Sequence, residues 1–198
     1  PDYEPGPERT VEALAAAAGR ELDDHLYDMQ LEQDGRALLL FPFLNYAAGN
    51  GDALREMLTH PAGVSGLSEG GARCGVICDA SQPTWLLTHW ARDRTRGEKL
   101  PLEHVVKKQT HDTARLFGLE DRGTVEVGAR ADLNVVDLDR LQLEPPQVVR
   151  DLPAGGKRFL QGARGYTATI VNGVVTRRHD TDTGARPGRL VRAGSQEG

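Results

Sequence analysis

The 198-residue sequence holds only two cysteines, Cys74 and Cys78, too few for a disulfide framework. Their C-x3-C spacing is also not the C-x2-C of a common zinc clip, so both are expected as free thiols. No apolar run approaches the roughly 18 residues of a membrane span. The longest, residues 37–44, is interrupted by Pro42. The first residues lack the charged and apolar regions of a secretory leader, and a reducing, cytoplasmic setting is the expectation. A basic excess is missing too. Lys and Arg number 24 against 29 Asp and Glu, for a net charge of −5, whereas a nucleic-acid-binding domain is usually basic. The local cluster Arg92, Arg94, Arg96 and Lys99 is offset by Asp93 and Glu98. There is no internal repeat and no low-complexity stretch.

What is present is ordinary for a globular chain: 38% hydrophobic and 27% charged residues, enough core for one or two domains. The opening "PDYEPGPERT" reads as a linker entering a helix, with no core-forming element of its own. Thr10 caps a helix through Ala18 that Gly19 ends. A second helix fits residues 21–33, with Gly35 as its stop. The run "RALLLFPFLNY" lacks alternation and predicts a strand over 37–44 buried on both faces. Asp52 caps a short helix to Thr59. A short strand over 64–67 leads into Ser68-Glu69-Gly70-Gly71. Pro83 and Thr84 open a helix to about Arg92, and "LPLEHVVKKQTHDTARLFG" is a further helix stopped at Gly118.

Strands separated by helices imply parallel β/α units, and two such strands cannot cover both faces and both edges of a sheet. The expectation is therefore the last portion of something larger. After Gly118 the pattern turns to β structure. A strand is expected over 131–138 and a long ordered loop over 142–165. A hairpin in "YTATIVNGVVTRR" turns at Asn172-Gly173. From His179 a polar, poorly ordered tail is expected. The domain reading is 1–118 for the β/α part, 119–178 for the β part and 179–198 for the tail.

Three blocks carry a family resemblance. "LTHPAGVSGLSEGGARCGVICDASQPTWLLTHWARDR", "LPLEHVVKKQTHDTARLFGLEDRGTVEVGARADLNVVDLDRL" and "DLPAGGKRFLQGARGYTATIVNGVVT" follow one another in the order found in N-acyl-D-amino-acid deacylases. These form the D-aminoacylase branch of the amidohydrolase superfamily, and the chain resembles their C-terminal portion. The resemblance implies an α/β fold: the last two units of a (β/α)8 TIM-type barrel, with 37–44 as strand seven and 64–67 as strand eight. The C-terminal part of a small β-sandwich follows.

The implied reaction is hydrolysis of an N-acyl-D-amino acid to a carboxylate and a D-amino acid. In the family, zinc polarises the amide and acidifies the attacking water, and a strand-eight carboxylate moves the proton. Glu69 stands at that carboxylate, within Ser68-Glu69-Gly70 where the family usually has Ser-Asp-Gly. Arg73 stands where close relatives have histidine; its planar fork suits a substrate carboxylate. Zinc is expected from the resemblance, but its upstream ligands are absent from the chain. The six histidines, His25, His60, His89, His104, His111 and His179, are widely separated and form no H-x-H pair. The expected partners are a small N-acyl amino acid and a chain supplying the other barrel strands, with no nucleic acid and no membrane. Two other readings stay open: a non-catalytic partner subunit, and a small-molecule binding module using Arg73 and the loop "DLPAGGKR".

Overall fold

The computed structural model describes residues 2–66, 68, 70–71, 73–76 and 78–192. The chain divides into two compact units, one of Pro1–His60 with Thr95–Glu98 and one of Pro61–Arg94 with Lys99–Gly198. The boundary expected at 118 separates helical chain from β chain, not one compact unit from another.

The first unit is helical. A 3-10 turn, Pro7–Arg9, leads into α1, Val11–Ala17. The Thr10 side chain caps α1, accepting from the Ala13 N–H at 3.2 Å. At its far end Gly19 N–H donates to Ala16 and Arg20 N–H to Ala15, the paired bonds of a Schellman stop. Helix α2, Leu22–Gly35, loses helical dihedrals at Glu32, Gln33 and Asp34, so its regular part ends before the expected Gln33. Helix α3 is Asp52–Thr59, and Gly51 rather than Asp52 is its N-cap.

The opening segment turns out to be anchored. Glu4 is buried and its carboxylate accepts from the Gly51 N–H at 2.7 Å. An anion suits the unpaired donors at a helix start. Arg96 ties the same region together, donating to Pro5 O at 2.6 Å and Gly49 O at 2.9 Å.

Residues 37–43 are not a strand. Phe41 and Phe43 are 78% and 81% exposed, against the expectation of a segment buried on both faces. Residues 64–66 also carry no strand; Leu67 lies outside the described residues. A doubly buried parallel strand needs a hydrogen-bonded neighbour at each edge, and no described segment pairs with either stretch. All the described sheets are antiparallel.

The second unit begins with two broken helices. Helix α4, Gln82–Trp85, continues as a π-helical segment, Leu86–Asp93. Helix α5, Leu102–Lys107, passes through a π-helical segment, Lys108–Asp112, into α6, Thr113–Leu116. Threonine hydroxyls compete for the ladder carbonyls and loosen it. Thr88 donates to Thr84 O at 3.0 Å, and Thr110 to Val106 O at 2.8 Å. Leu86, Trp90, Leu100, Val105 and Ala114 are buried here. Among the described residues no helix is long and apolar enough to cross a membrane.

The β part holds β1 Leu133–Val136, β2 Gln142–Leu143, β3 Gln147–Leu152, β4 Gly156–Leu160, β5 Ala163–Arg164, β6 Tyr166–Val171, β7 Val174–Arg178 and β8 Thr181–Asp182. The main sheet has the order β1-β6-β7-β8, with β2-β5 and β3-β4 as separate pairs. The β6–β7 hairpin turns at Asn172 and Gly173, φ +50° and +77°, the mirror-image turn that Asn-Gly favours.

Two expectations are corrected. The loop expected over 142–165 is largely strand, because Pro153 to Gly155 form a tight turn that folds β3 onto β4. The tail expected from His179 is ordered at its start. There β8 pairs with β7, and the Asp180 carboxylate accepts from Tyr166 N–H at 3.0 Å and Gly165 N–H at 3.2 Å.

Ion pairs lock the chain between α6 and β1. Asp121 accepts from Arg122 and Arg130, both at 2.9 Å, and Arg122 also reaches Asp132 at 2.9 Å. The two guanidiniums, Arg122 first, pull the Asp121 carboxyl from 3.8 down to about 2. A carboxyl whose pKa is lower folded than unfolded adds stability above its unfolded pKa and loses it as pH falls through the folded value. The thermal midpoints of the parent and Asp121→Asn should therefore differ by a constant amount above about pH 5. The gap should close as pH falls from about 4 to 2, in melts run across that range.

Candidate functional site

Glu69 lies outside the described residues. Before it, 63–66 is irregular chain held by side chains. Lys108, 7% exposed, donates from Nζ to the Gly63 carbonyl. Ser68 Oγ donates to Ala80 O at 2.8 Å and lies 3.3 Å from Asp79 O. After it, 73–76 is a turn in which Val76 N–H donates to Arg73 O at 2.9 Å. Arg73 is exposed. The turn is pinned to the β part by Phe159 N–H, which donates to Cys74 O at 2.6 Å. Further on, Ser81 Oγ donates to Gln161 Oε1 at 2.5 Å, and Gln161 Nε2 to Glu144 O at 2.8 Å.

Both cysteines are free and half-buried, as the spacing implied. Burial, and secondarily the negative charge of Asp79, pushes the Cys78 thiol pKa up. Cys78 is therefore held as a thiol and not as a nucleophilic thiolate.

The α4 arm carries an aromatic cluster that builds the core. Trp85 stacks on His89 at 5.4 Å, His89 meets Trp90 edge-on at 5.3 Å, and the Arg94 guanidinium sits 4.7 Å over the Trp90 ring. The tryptophans pack as core residues and His89 packs with them. Arg94, at the C-terminal end of the π-helical segment, is only 2% exposed. The π-helical widening turns it inward, closed by an Arg94 N–H bond to His89 O at 2.8 Å. Arg92 is half-buried, in a two-pronged pair with Asp93 at 2.6 and 2.8 Å and donating to the Leu138 carbonyl.

The zinc expectation was tested against the donors. Among the described residues no group of three or more His, Cys, Asp or Glu side chains could hold a metal ion. His111 pairs with its neighbour Asp112 at 3.0 Å, and Lys107 reaches the same carboxylate at 2.5 Å. The hydrogen bonds from these two side chains, His111 first and then Lys107, lower the Asp112 pKa. An Asp held by a lysine in this way is an ion-pair partner, not a spare ligand. The described donors do not fit a zinc centre.

A polar cleft of about 290 Å3 lies between Asp137, Arg140, Arg164, Tyr166 and His179. Its arginines are already paired, Arg140 with Asp137 at 3.5 Å and Arg164 with Glu144 at 2.9 Å. Burial raises the Tyr166 pKa, and its hydroxyl shares a 2.6 Å hydrogen bond with Thr84. The cleft is thus balanced in charge.

Sequence reasoning missed Lys108. One signal was available. Val105 and Lys108 are three residues apart on a helix, hence on one face, and that face is buried at Val105.

In comparisons with known proteins, no curated protein and no solved structure matches the chain. A family model, that of the amidohydrolase family, matches residues 7–177. The match runs from the first helical turn to the second strand of the Asn172-Gly173 hairpin, and through it the chain belongs to the amidohydrolase family.

Proposed function

We propose that the chain is part of a hydrolase of linear amides, cleaving N-acyl-D-amino acids to a carboxylate and a free D-amino acid. The match to the amidohydrolase family over 7–177 carries this reading. The order of the three sequence blocks supports the narrower branch. In the same reading, 37–44 and 64–67 are the last two strands of a (β/α)8 barrel that take up β structure beside their neighbours, and 119–178 belongs to a β-sandwich.

Glu69 is the base. It takes a proton from water as that water attacks the amide carbonyl, then returns a proton to the leaving nitrogen. Arg73, exposed beside it in sequence, pairs its fork with the substrate carboxylate. Because the described donors do not fit zinc, no step is assigned to a metal held by this chain.

The test is release of free amino acid from N-acetyl-D- and N-acetyl-L-amino acids, with zinc supplied. The expected result is turnover of the D-form only. Glu69→Gln should lower kcat by about 100- to 10,000-fold, and Arg73→Leu should raise KM by about tenfold or more. Equal turnover of both forms, or turnover indifferent to Glu69→Gln, overturns the assignment. Saturable binding of the acyl-amino acid without turnover moves the chain to a binding module. A second reading, a partner subunit completed by a chain carrying other barrel strands, is favoured by the exposure of Phe41, Phe43 and Leu44. Turnover that begins only when such a chain is added would select it.

A further inference from the structure

Residues 63–66 are neither helix nor strand, so no described ladder holds the chain that leads into position 69. Two side chains grip it instead. At its start, the Lys108 ammonium donates to the Gly63 carbonyl. Lys108 is 7% exposed and sits where α5 gives way to the π-helical segment. Its own carbonyl accepts from Thr113 Oγ1 at 2.7 Å. A lysine that deep is costly to desolvate unless its charge meets acceptors, and a charge-assisted bond to a carbonyl is stronger than a neutral one. At the end of the segment, Ser68 Oγ bonds to Ala80 O at 2.8 Å, two residues before α4 begins at Gln82. One grip comes from the α5 arm and the other from the turn before α4, and four residues of chain lie between Gly63 and Ser68.

We propose that Lys108 and Ser68 are positioning residues, paired tethers that fix the described chain leading to position 69, residues 63–66 and 68. The catalytic side of this inference rests on Glu69 being the base proposed above; the tethering itself does not. A base displaced by about 1 Å can lose on the order of 100-fold in rate.

The decisive measurement is backbone 15N relaxation on the 198-residue chain, its Lys108→Met and Lys108→Arg variants, and Ser68→Ala. Order parameters at Val64, Ser65, Gly66 and Ser68 are compared with those of β6 and β7. In the parent these four residues should sit near the rigid value of about 0.85, and in Lys108→Met they should fall below about 0.6. Methionine keeps the stem and loses the donor. Lys108→Arg, which keeps a charged donor, should restore them. Ser68 is exposed, so Ser68→Ala keeps the fold; it should loosen Gly66 and Ser68 while leaving β6 and β7 unchanged.

Unchanged order parameters in both Lys108→Met and Ser68→Ala overturn the proposal, as does a parent segment already below about 0.6. Should Lys108→Met fail to fold, the Ser68→Ala result decides. In the turnover assay, Lys108→Met and Ser68→Ala should lower kcat about tenfold or more with KM within about twofold, the signature of lost transition-state alignment. A parent without turnover counts against the amide-hydrolase reading alone, and the relaxation data still judge the tethers.

Discussion

Trp90→Ala is expected to cost about 3–5 kcal/mol of unfolding free energy, the range for deleting a large buried ring. Trp90 is 1% exposed, touches the rings of Trp85 and His89, and carries the buried Arg94 guanidinium on its face. Alanine leaves a cavity and strips the cation of its aromatic partner at the same time. Arg94 is itself 2% exposed, so it has no ready route to water that would soften the loss. Trp90→Phe keeps a ring face under the cation and should cost less than half as much. Urea unfolding followed by Trp85 fluorescence checks both, with the midpoint moving and the slope unchanged. A loss under about 1 kcal/mol for Trp90→Ala would mean that the site collapses around the smaller side chain.

Gly165→Ala is expected to be comparably damaging for a different reason. Gly165 has φ +107°, and an added Cβ would lie 2.7 Å from Leu141 Cα and 2.8 Å from Leu141 N. Those are backbone atoms of a fully buried residue and cannot swing aside. Strained backbone costs about 1–3 kcal/mol, and overpacking adds about 1–3 kcal/mol more. The same strand junction carries the Asp137 N–H bond to Gly165 O at 2.9 Å, so movement there would also disturb the end of β1. Gly173→Ala is the control. Its φ is +77° but nothing lies within 4 Å of the new Cβ, leaving backbone strain alone, about 1 kcal/mol. Thermal melts of the two variants should separate clearly. Equal shifts would show that the Leu141 backbone yields.

The signals that were readable at sequence level are those that act within a few residues. The Thr10 cap and Gly19 stop frame α1, and Gly118 ends the last helix, where its N–H donates to Arg115 O and Leu119 N–H to Ala114 O. Asn172-Gly173 sets its hairpin through the dihedrals those two residues tolerate. Cys74 and Cys78 are free. The three motif blocks placed the chain in the amidohydrolase superfamily, and the family match over 7–177 agrees at that level. Of the candidate site, the order Ser68, Glu69, Gly70 and Arg73 was readable as a motif. The means by which Lys108 and Ser68 hold the preceding segment was not, because Lys108 and Gly63 are 45 residues apart.

The sequence by itself determined the helix ends, the Asn-Gly turn, the free thiols and the family, because each depends on local dihedrals, hydrogen bonds within a turn, or residue order. Tertiary structure alone decided which apolar residues are covered and which segments pair. It left Phe41 and Phe43 in solvent though their run reads as core. It made strands of 147–152 and 156–160, within the Pro- and Gly-rich 142–165 region, by closing β3 on β4. It drew Arg94 and Lys108 inside, although both are cations. Burial and strand pairing are properties of two chain segments at once. A cation goes inside only when a ring or carbonyl meets it, and a strand forms only when another edge accepts its hydrogen bonds.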